Sequence, residues 1–302
     1  MLKTRLKGRL GNQLFIYGFA RLLVKKYDED VLIYDRKNEQ DSTWYSHLDN
    51  YKINHRIHFT SSRKSAFKMK LVQKIFFIKD KLMAKRFKSS KERNMYQIKM
   101  LPKNISKGLW LLEDGYAQLP KEIGEGTFFE GYFQSPLFLD EVKDNLLEEL
   151  RPQSLLSEQE KIFLKQIEKC NSVCVTIRLG DYINNEIHQV CSKLFYINAM
   201  KKMKELQPDC KFFIFSDEVE KAEEIFDFEY PVIYDSGKMK DYISLEVMSH
   251  CKHFIISNSS FSWWAQYLSQ SSHKIVIAPD RWYANEIPCD IYEQNWILMP
   301  GK

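Results

Sequence analysis

The chain has 302 residues, of which 44% are hydrophobic and 28% are charged, and its formal net charge is +5. This composition is typical of a globular protein with one large domain or two moderate ones, and it excludes a disordered chain. No apolar run approaches the roughly 18–20 residues that span a bilayer, and the first residues lack the apolar stretch of a signal peptide. We therefore expect a cytoplasmic protein.

The chain opens with a predicted strand–turn–helix–strand unit. Leu2–Leu6 is apolar enough for a short strand, and apolar residues at helical spacing predict a helix from Asn12 to about Lys26, with Asn12 as its N-cap. Val31–Tyr34 then has the pattern of a buried strand. Such a βαβ unit favours a parallel sheet.

Residues 61–103 form a basic segment with fourteen Lys or Arg residues against two acidic ones. Apolar residues among the lysines predict one or two basic amphipathic helices. Such helices bind anionic membrane surfaces, but a solvated lysine-rich face has the same pattern, so peripheral contact with the inner face of the cell membrane stays an open hypothesis. A nucleic-acid-binding protein is a rival class, but the segment lacks the aromatic or zinc motifs of known modules, so we expect no nucleic-acid partner.

The second half of the chain alternates between predicted strands and helices. Pro152, after a strand candidate at Gly126–Tyr132 and helical patterning at Leu139–Leu150, marks the predicted domain boundary. The alternation beyond it is typical of a doubly wound Rossmann-like domain. Strands are predicted at Val173–Arg178, Phe212–Phe215, Val232–Tyr234, Phe254–Ile256 and Ile275–Ile277, with helices at Phe195–Leu206, Val219–Phe226, Tyr242–Cys251 and Ser262–Leu268.

Polar side chains follow several of these strands, at the sheet edge where such folds bind ligands. Arg178 lies at a strand end, where a guanidinium can grip a diphosphate with two parallel hydrogen bonds. Ser216 and Asp217 follow the next strand, and Asp217 suits a ribose hydroxyl or a guanine edge. Ser259 and Ser260 enter a helix, where backbone N–H groups and the helix dipole form a phosphate cradle. Together these loops predict a nucleoside-diphosphate site.

The chain resembles the α-1,2-fucosyltransferases of glycosyltransferase family 11 in four ordered segments. These are Gly8–Phe15 (GRLGNQLF), Glu130–Ser135 (EGYFQS), Ile177–Tyr182 (IRLGDY) and Ser257–Trp264 (SNSSFSWW), and Phe215–Asp217 adds a shorter match. Two positions depart from the family pattern, because Thr176 stands where the family has His and Leu179 where it has a second Arg. Arg178, which the resemblance assigns to the donor phosphates, is retained.

The resemblance implies an α/β fold of the GT-B type, with two Rossmann-like domains and a reaction cleft between them. Residues 1–152 would form the acceptor-side domain, with the basic helical insertion at about 61–103, and residues 153–302 the GDP-sugar domain. The resemblance assigns Gly11, Asn12, Arg178, Ser216, Asp217, Ser259, Ser260 and Phe261 to the donor, and Glu130, Tyr132 and Gln134 to the acceptor side.

The implied reaction is an inverting, metal-independent transfer of L-fucose from GDP-β-L-fucose to the 2-hydroxyl of a terminal β-galactoside. The galactose-terminated acceptor, free or lipid-linked, would belong to bacterial O-antigen or capsule synthesis, and another linkage or acceptor stays open. GDP-fucose is then a substrate, and no cofactor is expected. A catalytically silent glycan-binding module is a further rival class, and the retained Arg178 argues against it.

Catalysis needs positive charge at the leaving diphosphate and a base for the acceptor hydroxyl. Arg178, the Ser259–Ser260 helix end and Arg9 would supply the charge, and Asp181 is the first candidate for the base, with Glu186 and His188 as alternatives. Asp181 could instead only orient Arg178.

We expect no metal site. The six cysteines are scattered without a CxxC pair, which predicts reduced thiols. Asp28-Glu29-Asp30 resembles a metal-binding DxD motif but precedes a strand at the wrong end, so we interpret it as surface charge. His250, Cys251 and His253 lie at a helix-to-strand edge, a poor metal cage. Trp263 and Trp264 are expected to be core aromatics.

Overall fold

A computed structural model of the chain describes residues 1–35, 46–61, 87–180 and 185–302. The chain divides into two compact units, one of residues 1–151 and 286–292, and one of residues 152–285 and 293–302. The sequence interpretation places 286–292 in the second domain, whereas in the structure this short segment packs with the first unit.

The first unit is built on a parallel sheet of five strands in the order β3-β2-β1-β5-β4. The strands are β1 (Leu2–Arg5), β2 (Val31–Tyr34), β3 (Ile57–Thr60), β4 (Leu109–Leu111) and β5 (Phe128–Glu130). β1 pairs with β2 on one side and β5 on the other. The strand order therefore reverses at β1, with β2 and β3 on one side of it and β5 and β4 on the other. The β1 and β2 predictions are confirmed, while β3 and β4 were not predicted.

Helix α1 (Leu10–Tyr27) is buried on nearly every side and forms the centre of the first unit. Its N-cap is Arg9, so the prediction of Asn12 as the cap is wrong; the N–H groups of Asn12 and Gln13 both donate to the Arg9 carbonyl. The helix ends at Asp28, which adopts a left-handed conformation with φ of 53° and donates its N–H to the Val24 carbonyl.

The described residues of the first unit form two further α-helices, α2 (Ser90–Ile105) and α3 (Lys143–Glu149), and a short 3₁₀ turn precedes α3. Ser89 caps α2 by accepting a hydrogen bond from the Glu92 N–H. This helix contains the last residues of the basic segment. Residues 62–86, and with them most of the predicted amphipathic helices, lie outside the described residues.

The second unit contains a parallel sheet of six strands in the order β11-β10-β9-β6-β7-β8. The strands are β6 (Ser172–Ile177), β7 (Lys211–Ser216), β8 (Val232–Tyr234), β9 (His253–Ile255), β10 (Val276–Pro279) and β11 (Ile297–Met299). Counted within the unit, this is the order 3-2-1-4-5-6 of a Rossmann fold, and the order reverses between β6 and β9. The predicted doubly wound domain is therefore confirmed, with β11 as an additional edge strand.

The helices of the second unit match the predicted alternation, apart from α4, which was not predicted. They are α4 (Glu158–Glu168), α5 (Lys193–Leu206), α6 (Val219–Ile225), α7 (Asp241–Ser249) and α8 (Ser260–Leu268). In α8, Trp263 and Trp264 are fully buried and pack against Tyr267, which confirms them as core aromatics. Among the described residues, no helix combines the length and the apolarity needed to cross a membrane.

Candidate active site

Arg178 lies one residue beyond β6, at the carboxyl edge of the second sheet. Its guanidinium forms an ion pair with Asp217, with 3.1 Å between Nη1 and Oδ2, and both side chains are about one-fifth exposed. The other Asp217 oxygen accepts the Leu179 N–H at 2.9 Å. A Cβ atom at Gly180 would approach Asp217 Oδ2 to 2.4 Å. Asp217 is thus held by the β6 loop and orients the guanidinium, and a side chain at position 180 would displace its carboxylate.

The serine-bearing loop after β9 lies at the same edge, because β9 is hydrogen-bonded to β6. Thr176 Oγ1 accepts the Ser257 N–H at 2.9 Å, and the Ser257 hydroxyl lies 3.0 Å from that of Ser262 in the first turn of α8. Ser259 is the N-cap residue of α8, and its side chain makes no capping hydrogen bond to the helix. The N-terminus of α8 therefore meets the sheet edge beside the strand that carries Arg178.

Several predicted donor residues have a local structural role at this edge. Ser216 Oγ accepts the Glu218 N–H at 3.1 Å and so shapes the turn after β7. Phe261 is partly exposed on the first turn of α8. The two positions that depart from the family pattern are both buried, since Thr176 links β6 to the β9 loop and Leu179 joins the hydrophobic core.

Of the predicted base candidates, Asp181 lies outside the described residues. Glu186 is exposed, and His188 contributes its backbone carbonyl to the Asn258 side chain at 2.9 Å. Asn258 also donates to the Trp282 carbonyl, and it is buried. This asparagine therefore joins two loops of the second unit.

The first unit has a polar edge of its own, at the carboxyl ends of β1 and β5. Gly8, with φ of +69°, makes the turn before α1, and a Cβ there would lie 2.2 Å from Asn12 Nδ2. Gly11 is buried within the first turn of the helix. Asn12 Oδ1 accepts the Gln134 side-chain N–H at 2.7 Å, which connects the α1 N-terminus to the loop after β5. The structure thus brings Arg9, as N-cap, to this edge together with Asn12 and Gln134.

Glu130 is the centre of a buried charge cluster that the sequence did not indicate. It is 1% exposed, and its carboxylate accepts hydrogen bonds from Arg5 and from Lys7, whose Nζ atom lies 2.8 Å from Oε1. Burial raises the pKa of Glu130, but the charges of Lys7 and Arg5 outweigh it and hold the pKa below its ordinary value. Lys7 Nζ also lies 4.3 Å from the centre of the Tyr132 ring. Glu130 therefore fixes two cations, and Lys7 faces the predicted acceptor residue Tyr132.

Three of the side chains considered for metal binding, Asp28, Asp30 and His250, are engaged in ion pairs. Arg56 pairs with both Asp28 and Asp30, and His58 Nε2 lies 3.0 Å from Asp30. His250 pairs with Glu168 and Glu246. Within the described ranges, no group of three His, Cys, Asp or Glu side chains is arranged to hold a metal ion.

Comparison with known proteins places this architecture in a family. The family model described as "Glycosyl transferase family 11" matches residues 1–300. An alpha-1,2-colitosyltransferase from Escherichia coli is 30% identical, over 94% of this chain and 92% of that protein. The O-antigen biosynthesis glycosyltransferase WbnK from Escherichia coli is 28% identical, over 97% of this chain and 99% of that protein.

A solved structure shares the fold. The crystal structure of NodZ alpha-1,6-fucosyltransferase soaked with GDP-fucose matches with a TM-score of 0.50 and 14% identity, over 92% of this chain and 94% of that chain. Together with the two parallel α/β sheets, this confirms the predicted GT-B type of fold. Because the family model spans nearly the whole sequence, the chain belongs to glycosyltransferase family 11, and it is a glycosyltransferase.

Proposed function

We propose that this glycosyltransferase transfers a 6-deoxy-L-hexose from its GDP-activated form to a hydroxyl of a terminal galactoside, in the synthesis of a bacterial surface glycan. The observation that carries the proposal is Arg178, one residue past β6, at the point where the Rossmann strand order reverses. Ligands of doubly wound sheets bind at this point. A partly exposed guanidinium there suits the two phosphates of a nucleotide sugar.

The diphosphate would lie between Arg178 and the N-terminus of α8, both parts of the second unit. The helix supplies backbone N–H groups and the positive end of its dipole, and Ser259 and Ser260 add hydroxyl groups. Asp217 is already bound to Arg178 and to the Leu179 N–H, so its role in this proposal is to position the guanidinium. Positive charge at this edge stabilises the diphosphate as it leaves, without a metal ion.

Two sugars are candidates for the donor. The family resemblance in the four sequence segments favours L-fucose, whereas the relative from Escherichia coli is named for colitose. Colitose is L-fucose without its 3-hydroxyl group, so the two donors share the nucleotide, the diphosphate and the 6-deoxy carbon. We propose fucose as the donor and colitose as the second candidate, with inverting transfer to the galactose 2-hydroxyl.

The test compares GDP-fucose and GDP-colitose with the purified protein, using lactose and N-acetyllactosamine as acceptors. We expect an α-1,2-linked product from one donor, identified by mass spectrometry and linkage analysis by NMR, with the kcat/KM of the two donors differing at least about 10-fold. A site built to hydrogen-bond a hydroxyl rejects the analogue that lacks it. Absence of any transfer product from both GDP-sugars would contradict the proposal.

A further inference from the structure

Helix α2 of the first unit has an outward face that carries apolar side chains. Met95 and Ile98 are 63% and 38% exposed, and Pro102 is exposed one turn further along. Because they are three or four residues apart, these side chains lie in one row along the helix surface. Exposed apolar residues that adjoin one another and are rimmed by polar ones mark contact surfaces more often than scattered single ones do. The row is therefore a candidate contact surface.

Exposed lysines adjoin this apolar row. Lys91 lies one turn before Met95, and Lys99 and Lys103 form a second row beside the first. Within the described part of the chain, none of these three lysines has an ion-pair partner. The helix has four basic side chains and one acidic side chain, Glu92, whose carboxylate accepts a backbone N–H at the start of the helix. The outward face of α2 therefore combines apolar side chains with uncompensated positive charge.

The opposite face of α2 is fixed to the loop after β4, at the carboxyl edge of the first sheet. Asn94 Nδ2 donates to the Asp114 carbonyl at 2.6 Å, and Gln97 Oε1 accepts the Glu113 N–H at 3.3 Å. Arg93 forms an ion pair with Glu113 at 3.0 Å. Because these contacts orient the helix, the apolar row and the lysines stay on the outside of the first unit.

Helix α4 of the second unit offers a comparison within the same chain. It also has an exposed apolar side chain, Ile162 at 58%, and two exposed lysines four residues apart, Lys165 and Lys169. Its charges are mixed, however, with two basic and three acidic side chains between Glu158 and Glu168. An exposed apolar side chain alone therefore does not distinguish α2, whereas an apolar row beside charge of a single sign does.

Two classes of partner have the negative charge that this face requires, namely an anionic lipid bilayer and a nucleic acid. At a bilayer surface, apolar side chains enter the boundary between headgroups and acyl chains, and the long stems of lysines let their ammonium groups reach the lipid phosphates. A nucleic acid would use the lysines, but an aliphatic row gains nothing against its phosphates, and stacking on bases requires aromatic side chains. Met95 and Ile98 therefore favour the bilayer.

We propose that the exposed face of α2, formed by Lys91, Met95, Ile98, Lys99 and Lys103, binds the anionic surface of a lipid bilayer. The apolar pair is buried at the headgroup boundary, and the lysines bind lipid phosphates. Each lysine close to such a surface strengthens binding roughly 5-fold. Because this part of the attraction is electrostatic, binding weakens as the salt concentration rises. The inference concerns the first unit alone and holds for any donor or acceptor of the transferase.

The test is co-sedimentation of the full-length protein with vesicles of phosphatidylcholine alone, or of phosphatidylcholine and phosphatidylglycerol in equal parts. We expect the wild type to bind only the vesicles that contain phosphatidylglycerol. The charge variant, Lys99→Glu with Lys103→Glu, should lower the partition coefficient at least about 25-fold at about 0.1 M salt. The apolar variant, Met95→Ser with Ile98→Ser, should lower it about 10-fold, because it removes the apolar contribution.

Lys165→Glu with Lys169→Glu on α4 is the matched control, since it makes the same charge change at the same spacing on an exposed helix face. Its partition coefficient should stay within about 2-fold of wild type. Urea midpoints of all three variants should stay close to that of the wild type, because the changed side chains are exposed.

Three results would overturn the proposal. The first is a wild type that does not bind the anionic vesicles. The second is vesicle binding that the two α2 variants retain, or that the charge variants of α2 and α4 lose equally. The third is binding of a DNA oligonucleotide, without vesicle binding, that the charge variant loses and the apolar variant keeps, which would assign the face to a nucleic acid.

Discussion

The carboxyl edges of the two sheets distribute their charges in opposite ways. At the edge of the second sheet, one carboxylate, Asp217, holds one cation, Arg178, and both stay partly exposed. At the edge of the first sheet, buried Glu130 is bound to both Arg5 and Lys7, while the carboxylate of Asp114 has no hydrogen-bond or ion-pair partner in the described part of the chain. The second edge therefore presents a cation to solvent, and the first presents a carboxylate of raised pKa.

This difference shows how one type of sheet can place two different kinds of charged group at its edge. A sheet of parallel strands brings polar loops to one edge, but the pairing of the side chains decides what that edge offers. An oriented guanidinium suits an anionic leaving group, and an unpaired carboxylate suits a proton.

Arg178→Ala should have the largest effect, because it removes the cation from the second edge. We expect kcat/KM for the GDP-sugar to fall about 10³-fold or more, as for loss of a charged transition-state contact. The kcat/KM of Arg178→Lys should lie between those of the wild type and Arg178→Ala, because lysine keeps the charge and loses the planar pair of donors. Arg151→Ala, an exposed arginine at the end of α3, serves as control. Donor turnover by Arg178→Ala at the control rate would contradict the site assignment.

Glu130→Gln should have the largest effect on stability. It leaves Arg5 and Lys7 without their buried counter-charge, and breaking such a pair costs about 3–5 kcal/mol. Urea unfolding at pH 7 checks the change, with the exposed Glu125→Gln as control, expected within about 0.5 kcal/mol. Equal stability of the two variants would show that the cluster contributes nothing.

Asp114→Asn should stabilise the protein, with a pH dependence that follows from its pKa. The folded-state pKa is raised to about 6, so the protonated form is favoured by folding and the stability it gives is lost as pH rises through 6. The variant should therefore exceed wild type by about 1–3 kcal/mol at pH 8, and the gap should close by pH 4. Lower stability of the variant at pH 8 would indicate a structural role for Asp114.

Chelation should have the smallest effect. If catalysis relies on Arg178 and the α8 N-terminus, excess EDTA should leave turnover within about 1.5-fold, since neither group needs a metal ion. Asp30→Asn should likewise leave turnover within about 1.5-fold, because Asp30 is bound to Arg56 and His58. Activity lost in EDTA and restored by a divalent cation would refute metal independence.

The sequence predicted the second unit well because its strands are signalled by apolar runs that alternate with helices. The run Ser172–Ile177 is buried along its whole length, so the strand end, and Arg178 with it, could be located. The strands β4 and β11 were missed; each has three residues, and neither lies between two predicted helices as the equally short β8 and β9 do. The N-cap of α1 was misplaced, because Arg9 lacks the side chain of a usual cap.

The side-chain contacts at the carboxyl edges of the two sheets could not be predicted as well as the strands themselves. The ion pair of Arg178 with Asp217 joins residues 39 positions apart that directly follow two neighbouring strands, and the register of β6 against β7 brings them together. The isolation of Asp114 depends on α2, on three loops of the first sheet and on the 286–292 segment. A missing partner is a property of the fold, and no local sequence pattern encodes it.

The hydroxyl groups of Thr176, Ser257 and Ser262 tie the start of α8 to β6. A loop that must become ordered on binding loses conformational entropy, and the measured affinity is weakened by that amount. Here the connection passes through two fully buried strands, so we expect this edge to need little further ordering in order to bind a ligand.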